Sequence, residues 1–145
     1  TPELLSSRVK VLESVVEEGS GPDLANAEVI VTAGRGMESQ DNLKWVEELA
    51  GCLGGAVAGT RAVTDAGWLP HNHQIGQTGA TVAPKLYIGC GVSGAIQHLV
   101  GMQGSEIIVA INRDPDAPIF DVSTYGIVGD VKEILPLLIK RVCSG

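Results

Sequence analysis

Residues Gly89-Cys90-Gly91-Val92-Ser93-Gly94 place glycine at the spacing G-x-G-x-x-G. After a strand and before a helix, that spacing marks a dinucleotide site, because glycine lets the backbone approach a pyrophosphate. The context fits: the apolar run 85–90 precedes the turn and the helix-like run 94–102 follows it. Asp114 stands where a ribose-binding acid would stand, near the end of the next predicted strand. The competing reading is a tight strand-to-helix turn in which glycine only permits close packing and Ser93 caps a helix.

Other residues carry weaker signals. Gly76-Gln77-Thr78-Gly79 could bring backbone to a flat ligand and aim an amide and a hydroxyl at it, or could be an ordinary turn. Arg35 and Arg61 each follow a predicted strand. Arginines at that edge of an acidic protein suit phosphate or developing negative charge, and suit surface ion pairs equally well. The pair His71 and His73 lacks a third ligand and makes a poor metal site. His98 follows the glycine turn, either structural or facing a ligand. Trp45 and Trp68 read as packing residues.

These residues need a frame to hold them. Runs 28–34, 55–62, 85–90, 106–112 and 127–130 are apolar and read as strands, with a further strand expected at 8–16. Residues 39–54 form the clearest helix, with Leu43, Val46, Leu49, Ala50 and Leu53 on one face. Residues 94–102 and 131–144 read as helices, with Pro136 either kinking the last or starting a new segment. The stretches 63–84 and 113–126 read as long loops, a length that usually signals function or disorder. Alternating strands and helices predict an α/β fold, a parallel sheet covered on both faces in three layers. Ligands in such sheets bind beyond the carboxyl ends of the strands. The loops after residues 34, 61, 89, 112 and 130 should therefore share one edge.

Composition supports one domain over residues 1–145, with 1–27 as a strand and linker and 28–145 as the core. Hydrophobic residues are 44% and aromatics 3%, so the core must be aliphatic, as in buried parallel sheets. The net charge of −7 argues against nucleic acid, which needs a basic face. No apolar run reaches the length of a membrane span, so no membrane insertion is expected. Cys52, Cys90 and Cys143 are far apart and odd in number, which predicts free thiols in a reducing compartment. The chain starts at Thr1 without methionine, as a fragment of a longer protein would.

The segments VIVTAGRGM (29–37), QIGQTG (74–79), LYIGCGVSGAIQHLVGM (86–102) and AINRDPDAPIFDVSTYGIVGD (110–130) together resemble one family, the electron transfer flavoprotein alpha subunit. The likeness is to its C-terminal FAD-binding domain, and it covers about four-fifths of the chain in order. SGAIQH followed by AINRDPDAPIF is far more specific than G-x-G-x-x-G. The resemblance implies a deoxyhypusine-synthase-like NAD/FAD-binding fold, FAD as cofactor and a coincidental nicotinamide fingerprint.

By position, the family's pattern implies that Arg35 contacts the diphosphate region and that Thr60 keeps a hydroxyl where the family usually has serine. It implies that Arg61 lies against the isoalloxazine ring and that Ile75, Gly76, Gln77 and Thr78 line it, with the Thr78 hydroxyl near N5. Ser93, Gly94, Ala95, Ile96, Gln97 and His98 would hold the phosphates and ribityl chain, His98 reaching toward flavin O2. Asn112 and Asp130 would hold the adenosine end. A fixed cation near the N1–C2=O region stabilises reduced, anionic flavin and raises its potential.

The resemblance further implies an electron carrier with no substrate chemistry of its own, serving fatty acid β-oxidation. Its partners would be a beta subunit and flavin dehydrogenases such as acyl-CoA dehydrogenases. The family's N-terminal domain is not among these residues. The compartment would be the bacterial cytoplasm or the mitochondrial matrix. The HNHQ wording at 71–74 is similar to members from electron-bifurcating systems. Two other functions compete: an NAD-dependent oxidoreductase domain using His98 for proton transfer, and an interaction domain without a cofactor.

Overall fold

Residues 23–144 are described in a computed structural model of the chain. The expected strand at 8–16 lies outside them. Five strands form one sheet: β1 (Val29–Ala33), β2 (Ala56–Gly59), β3 (Leu86–Cys90), β4 (Ile107–Asn112) and β5 (Tyr125–Val128). Every neighbouring pair is parallel, in the order β2-β1-β3-β4-β5. Parallel strands bury both faces, which is why these segments read as continuous aliphatic runs.

Successive side chains of a strand leave on opposite faces. Val31, Ala33, Ile88, Cys90 and Ile111 meet helices α1 (Leu43–Leu53) and α4 (Val131–Ser144) through Val46, Leu49, Leu135 and Ile139. Ile30, Tyr87, Ile108 and Ala110 pack on the other face with Met102 of α3 (Ile96–Met102) and Ile119. The result is the three-layer α/β arrangement that the sequence predicts. Helix α1 ends where Gly54 takes a left-handed φ of 69° and donates its N–H back to Ala50 and Gly51. Helix α4 runs through Pro136 without a second start.

Three local expectations change. The strand predicted at 55–62 stops at Gly59, and Arg61–Asp65 form a short helix, α2. The Thr60 carbonyl accepts the N–H groups of Val63 and Thr64, so the chain turns helical at once. The last strand is 125–128 and not 127–130, because Asp130 instead caps α4, its side chain accepting from Lys132 N at 2.9 Å. Cys52 and Cys143 are bonded as a disulfide, with Cα atoms 5.5 Å apart, so the free thiols expected there are not found. The C-terminal ends of α1 and α4 meet on one face of the sheet, a proximity that 91 residues of sequence separation conceal. Cys90 is free and buried, and burial pushes its thiol up to about 12.

The stretch 63–84 is more ordered than composition suggests. Gln74 forms a parallel bridge with Gly59, and Ile75 donates its N–H to the Gly59 carbonyl at 3.0 Å. Counting this bridge as a rudimentary strand outside β2, the order becomes that of a doubly wound sheet, with the switch point between β1 and β3.

Candidate functional site

A cleft of about 1190 Å³ opens at the carboxyl ends of these strands. Four segments line it: Arg35 and Glu38 after β1, Thr60–Ala66 after β2, Gln74–Thr78 at the bridge, and Ser93–His98 after β3. Between Thr60 and Ala66 the lining side chains include Arg61 and Asp65. Trp68, besides packing on the core, faces the cleft.

Strand ends explain how each residue arrives. β1 ends in the turn Arg35–Met37, which leaves Arg35 exposed. Arg61 opens α2 and pairs with Asp65 one turn on, Nε to Oδ2 3.3 Å, both about two-thirds exposed. Such a pair contributes little stability, so Arg61 can exchange it for a ligand at small cost. Gln77 donates its N–H to the Gln97 carbonyl at 2.8 Å, which ties the bridge loop to the β3 loop.

A chain of polar side chains orders the loop. The Thr64 hydroxyl donates to the buried Gln74 side-chain oxygen, and Gln74 Nε2 donates to Thr78 Oγ1 at 2.7 Å. Thr78 Oγ1 accepts in this bond, so its own proton remains available to a ligand. His98 is 5% exposed, and both ring nitrogens are engaged: Nε2 with the Tyr87 hydroxyl at 2.7 Å, Nδ1 with the Ile75 carbonyl at 3.1 Å. Burial lowers the His98 pKa to about 4, so the ring is neutral. A bond from His98 to flavin O2, as the resemblance implies, would require one of these partners to be given up.

The glycines of 89–94 answer a packing need. A Cβ on Gly91, whose φ is +71°, would stand 2.7–2.8 Å from the backbone of Gly36 and Met37. A Cβ on Gly94, with φ +95°, would stand 2.4 Å from Ile119 N. Both glycines thus permit close approach of neighbouring backbone, as the packing reading of the turn requires. Asp114 is outside the cleft, and its carboxylate accepts from Asp116 N at 2.9 Å in a local turn. The ribose-binding acid of the NAD reading is therefore not among the cleft residues.

Of the residues singled out from sequence, Arg35, Thr60, Arg61, Ile75, Gly76, Gln77, Thr78, Ser93, Gly94, Ala95, Gln97 and His98 share the cleft. Ile96 does not line it and is 75% exposed. Asn112 and Asp130 also lie outside the lining. Asn112 donates to the Val92 carbonyl at 2.9 Å and accepts from Asp114 N at 2.9 Å, which commits its amide to the β4 turn. Sequence reasoning missed Gln74, Glu38 and Tyr87. Gln74 was legible as the first residue of QIGQTG, whereas nothing in the sequence marks Glu38, which takes a φ of +72° and accepts from Lys132 at 2.8 Å and Arg113 at 3.3 Å. Those bonds join the loops after β1, β4 and β5, and the hydrogen bond and charge of Glu38 raise the Lys132 pKa. His73 Nδ1 lies 2.9 Å from the Val57 carbonyl, and among the described residues no His, Cys, Asp and Glu cluster could hold a metal.

A sequence model described as the electron transfer flavoprotein FAD-binding domain matches residues 23–103. The chain belongs to this family. It is 52% identical over 135 residues to the electron transfer flavoprotein subunit alpha of Thermoanaerobacterium thermosaccharolyticum, covering 93% of this chain and 41% of that protein. It is 59% identical over 120 residues to the mitochondrial electron transfer flavoprotein subunit alpha of Oryza sativa subsp. indica, covering 83% and 34%. It is 50% identical over 141 residues to a protein of Anaerotignum propionicum named acryloyl-CoA reductase electron transfer subunit beta, covering 95% and 38%. The chain thus spans about two-fifths of the length of these flavoprotein relatives.

FAD is the cofactor of the electron transfer flavoprotein domain, and the cleft suits it. Its volume exceeds the roughly 300–1,000 Å³ usual for small ligands, as a long dinucleotide requires. Thr60 lines the same cleft, and its Oγ1 is buried with no partner among the described residues. A buried hydroxyl without a partner is costly, and a ligand oxygen there would satisfy it. Among the described residues, no helix is long and apolar enough to cross a membrane.

Proposed function

We propose that this domain is the flavin site of a two-subunit electron carrier, and that the cleft between the β1, β2 and β3 loops holds the FAD. The observation that carries this reading is the convergence of Arg61, Thr78 and His98 on one cleft from three separate segments, two of them helices. FAD supplies reversible electron transfer, and the protein supplies orientation and charge.

Arg35 and Thr60 hold phosphate oxygens by charge and hydroxyl donation. The Arg61 guanidinium, freed from Asp65, faces the ring and favours its reduced, negatively charged form. Thr78, oriented by Gln74, offers its proton at N5. Ser93 to Gln97 contribute backbone and side-chain donors to the ribityl and phosphate groups. Asn112 and Asp130 stand beyond the cleft, at the ends of β4 and β5, as candidates for the adenosine end.

The carrier works with a beta subunit and the family's N-terminal domain, takes electrons from flavin dehydrogenases of the acyl-CoA class and passes them to an acceptor. The name of the Anaerotignum relative, acryloyl-CoA reductase electron transfer subunit beta, supports a partner that acts on CoA thioesters. Relatives of bacterial and mitochondrial origin support either the bacterial cytoplasm or the mitochondrial matrix.

The test is the visible spectrum of the purified chain after loading with FAD and gel filtration. Flavin bands co-eluting at one per chain are expected. No retained flavin, with or without an added beta subunit, would overturn the reading.

A further inference from the structure

Tyr87 is fully buried in the third strand and took no part in the sequence reading. Its ring lies along the sheet toward the cleft, across Gly89. A Cβ at Gly89 would come within 3.1 Å of the Tyr87 ring and 3.4 Å of its hydroxyl. The missing side chain at 89 therefore opens the path by which the phenol reaches His98. Thr32, the parallel partner of Gly89, has its hydroxyl beside the phenol, buried and without a well-aligned hydrogen-bond partner among the described residues.

The hydrogen bonds have one consistent direction. The Ile75 carbonyl can only accept, so His98 Nδ1 carries the proton. In a neutral imidazole Nε2 is then the acceptor, and the Tyr87 hydroxyl donates to it. Were Tyr87 absent, Nε2 would be a buried acceptor without a partner, and the ring would be held by its Nδ1–H bond alone.

We infer that Tyr87 is a positioning residue for the flavin site: by donating to Nε2 it holds the His98 ring in place, so that the Nδ1–H set by the Ile75 carbonyl anchors the 75–78 stretch that lines the cleft. The flavin part rests on the reading given above. The chain of contacts runs from the sheet interior through Tyr87 and His98 to the loop bearing Thr78. A phenol that merely filled space would leave the His98 ring and the bound flavin indifferent to its hydroxyl.

The test uses the 15N-labelled full chain. Long-range proton–nitrogen spectra of the histidine rings, recorded without FAD, report which nitrogen of His98 is protonated. The His98 signal is the one lost in His98→Gln. In the unaltered chain Nδ1 should carry the proton, and a ring protonated at Nε2 alone overturns the inference without any Tyr87 variant. Tyr87→Phe, close to isosteric, should keep the proton on Nδ1 and shift the Nε2 resonance, which loses the hydrogen bond it accepts. In the FAD-loaded chain it should also shift the flavin bands and midpoint potential. Unchanged ring signals in Tyr87→Phe overturn the inference. An altered ring with an unchanged flavin overturns its flavin half. If the unaltered chain shows the Nδ1–H ring yet takes up no FAD, the FAD reading fails, and the flavin half of the inference fails with it.

Discussion

Gln74 Nε2 donates to Thr78 Oγ1 at 2.7 Å, across one turn of the loop that lines the cleft. Gln74 is 2% exposed and also accepts from Thr64, so both ends of its amide are committed. Gln74→Leu would keep the volume and remove both bonds. We expect a stability loss of about 1–3 kcal/mol, the cost of leaving buried polar groups unpaired. We also expect an altered spectrum of bound flavin, because the Thr78 hydroxyl loses its orientation. Urea denaturation and visible absorption check the two effects separately. A Thr78→Ala variant should reproduce the spectral change with a smaller loss of stability.

Arg61 should matter for the flavin and hardly at all for the fold. Its pairing with Asp65 is exposed and worth roughly 0–1 kcal/mol. Arg61→Ala should therefore leave the denaturation midpoint nearly unchanged. The midpoint potential of bound FAD should fall, because a cation beside a developing negative charge is gone. Redox titration of the loaded chain measures this, and an unchanged potential would remove Arg61 from the proposed role.

His98 makes stability depend on pH in a defined window. Burial holds its folded pKa at about 4, against an ordinary value of 6.5. Between these values the unfolded chain binds a proton that the folded ring refuses. Stability therefore falls as pH drops from about 6.5 to 4 and is insensitive to this group above 6.5. The total is of order 3 kcal/mol. Urea denaturation at stepped pH should show the slope in the unaltered chain, and His98→Gln should flatten it.

The bond between Cys52 and Cys143 closes a loop with a sequence separation of 91. Loop-closure entropy for that length corresponds to roughly 4–5 kcal/mol, an upper figure since measured effects often fall short. Reduction should lower the thermal midpoint. A Cys52→Ser variant should show the same lower midpoint and no longer respond to reductant. Both cysteines are exposed on helices far from the cleft lining, so flavin loading should survive either change.

Much of this protein was legible in its residues. Aliphatic runs at 29–33, 86–90 and 107–112 admit little but buried parallel strands, because an almost aromatic-free core must be packed from both faces of a sheet. The spacing of Leu43, Val46, Leu49 and Ala50 marks the face of α1 by helical period alone. The resemblance carried by SGAIQH and QIGQTG led to the flavoprotein family, and those two stretches do meet in one cleft, whereas Asn112 and Asp130 lie outside it. These are local properties, or short strings, and a sequence displays them directly.

What the sequence could not display depends on distance through space. Thr60 ends a strand and begins a helix only because its carbonyl meets two N–H groups of the next turn. Glycine at 91 and 94 looked like a nucleotide fingerprint, yet the backbones of Gly36 and Ile119 occupy the room they leave. Cys52 and Cys143 pair because two helices end side by side. Tyr87 reaches His98 only because Gly89, within β3, carries no side chain. The residue types set which bonds could form, and the tertiary packing of β1, β3 and α3 decided which of them did.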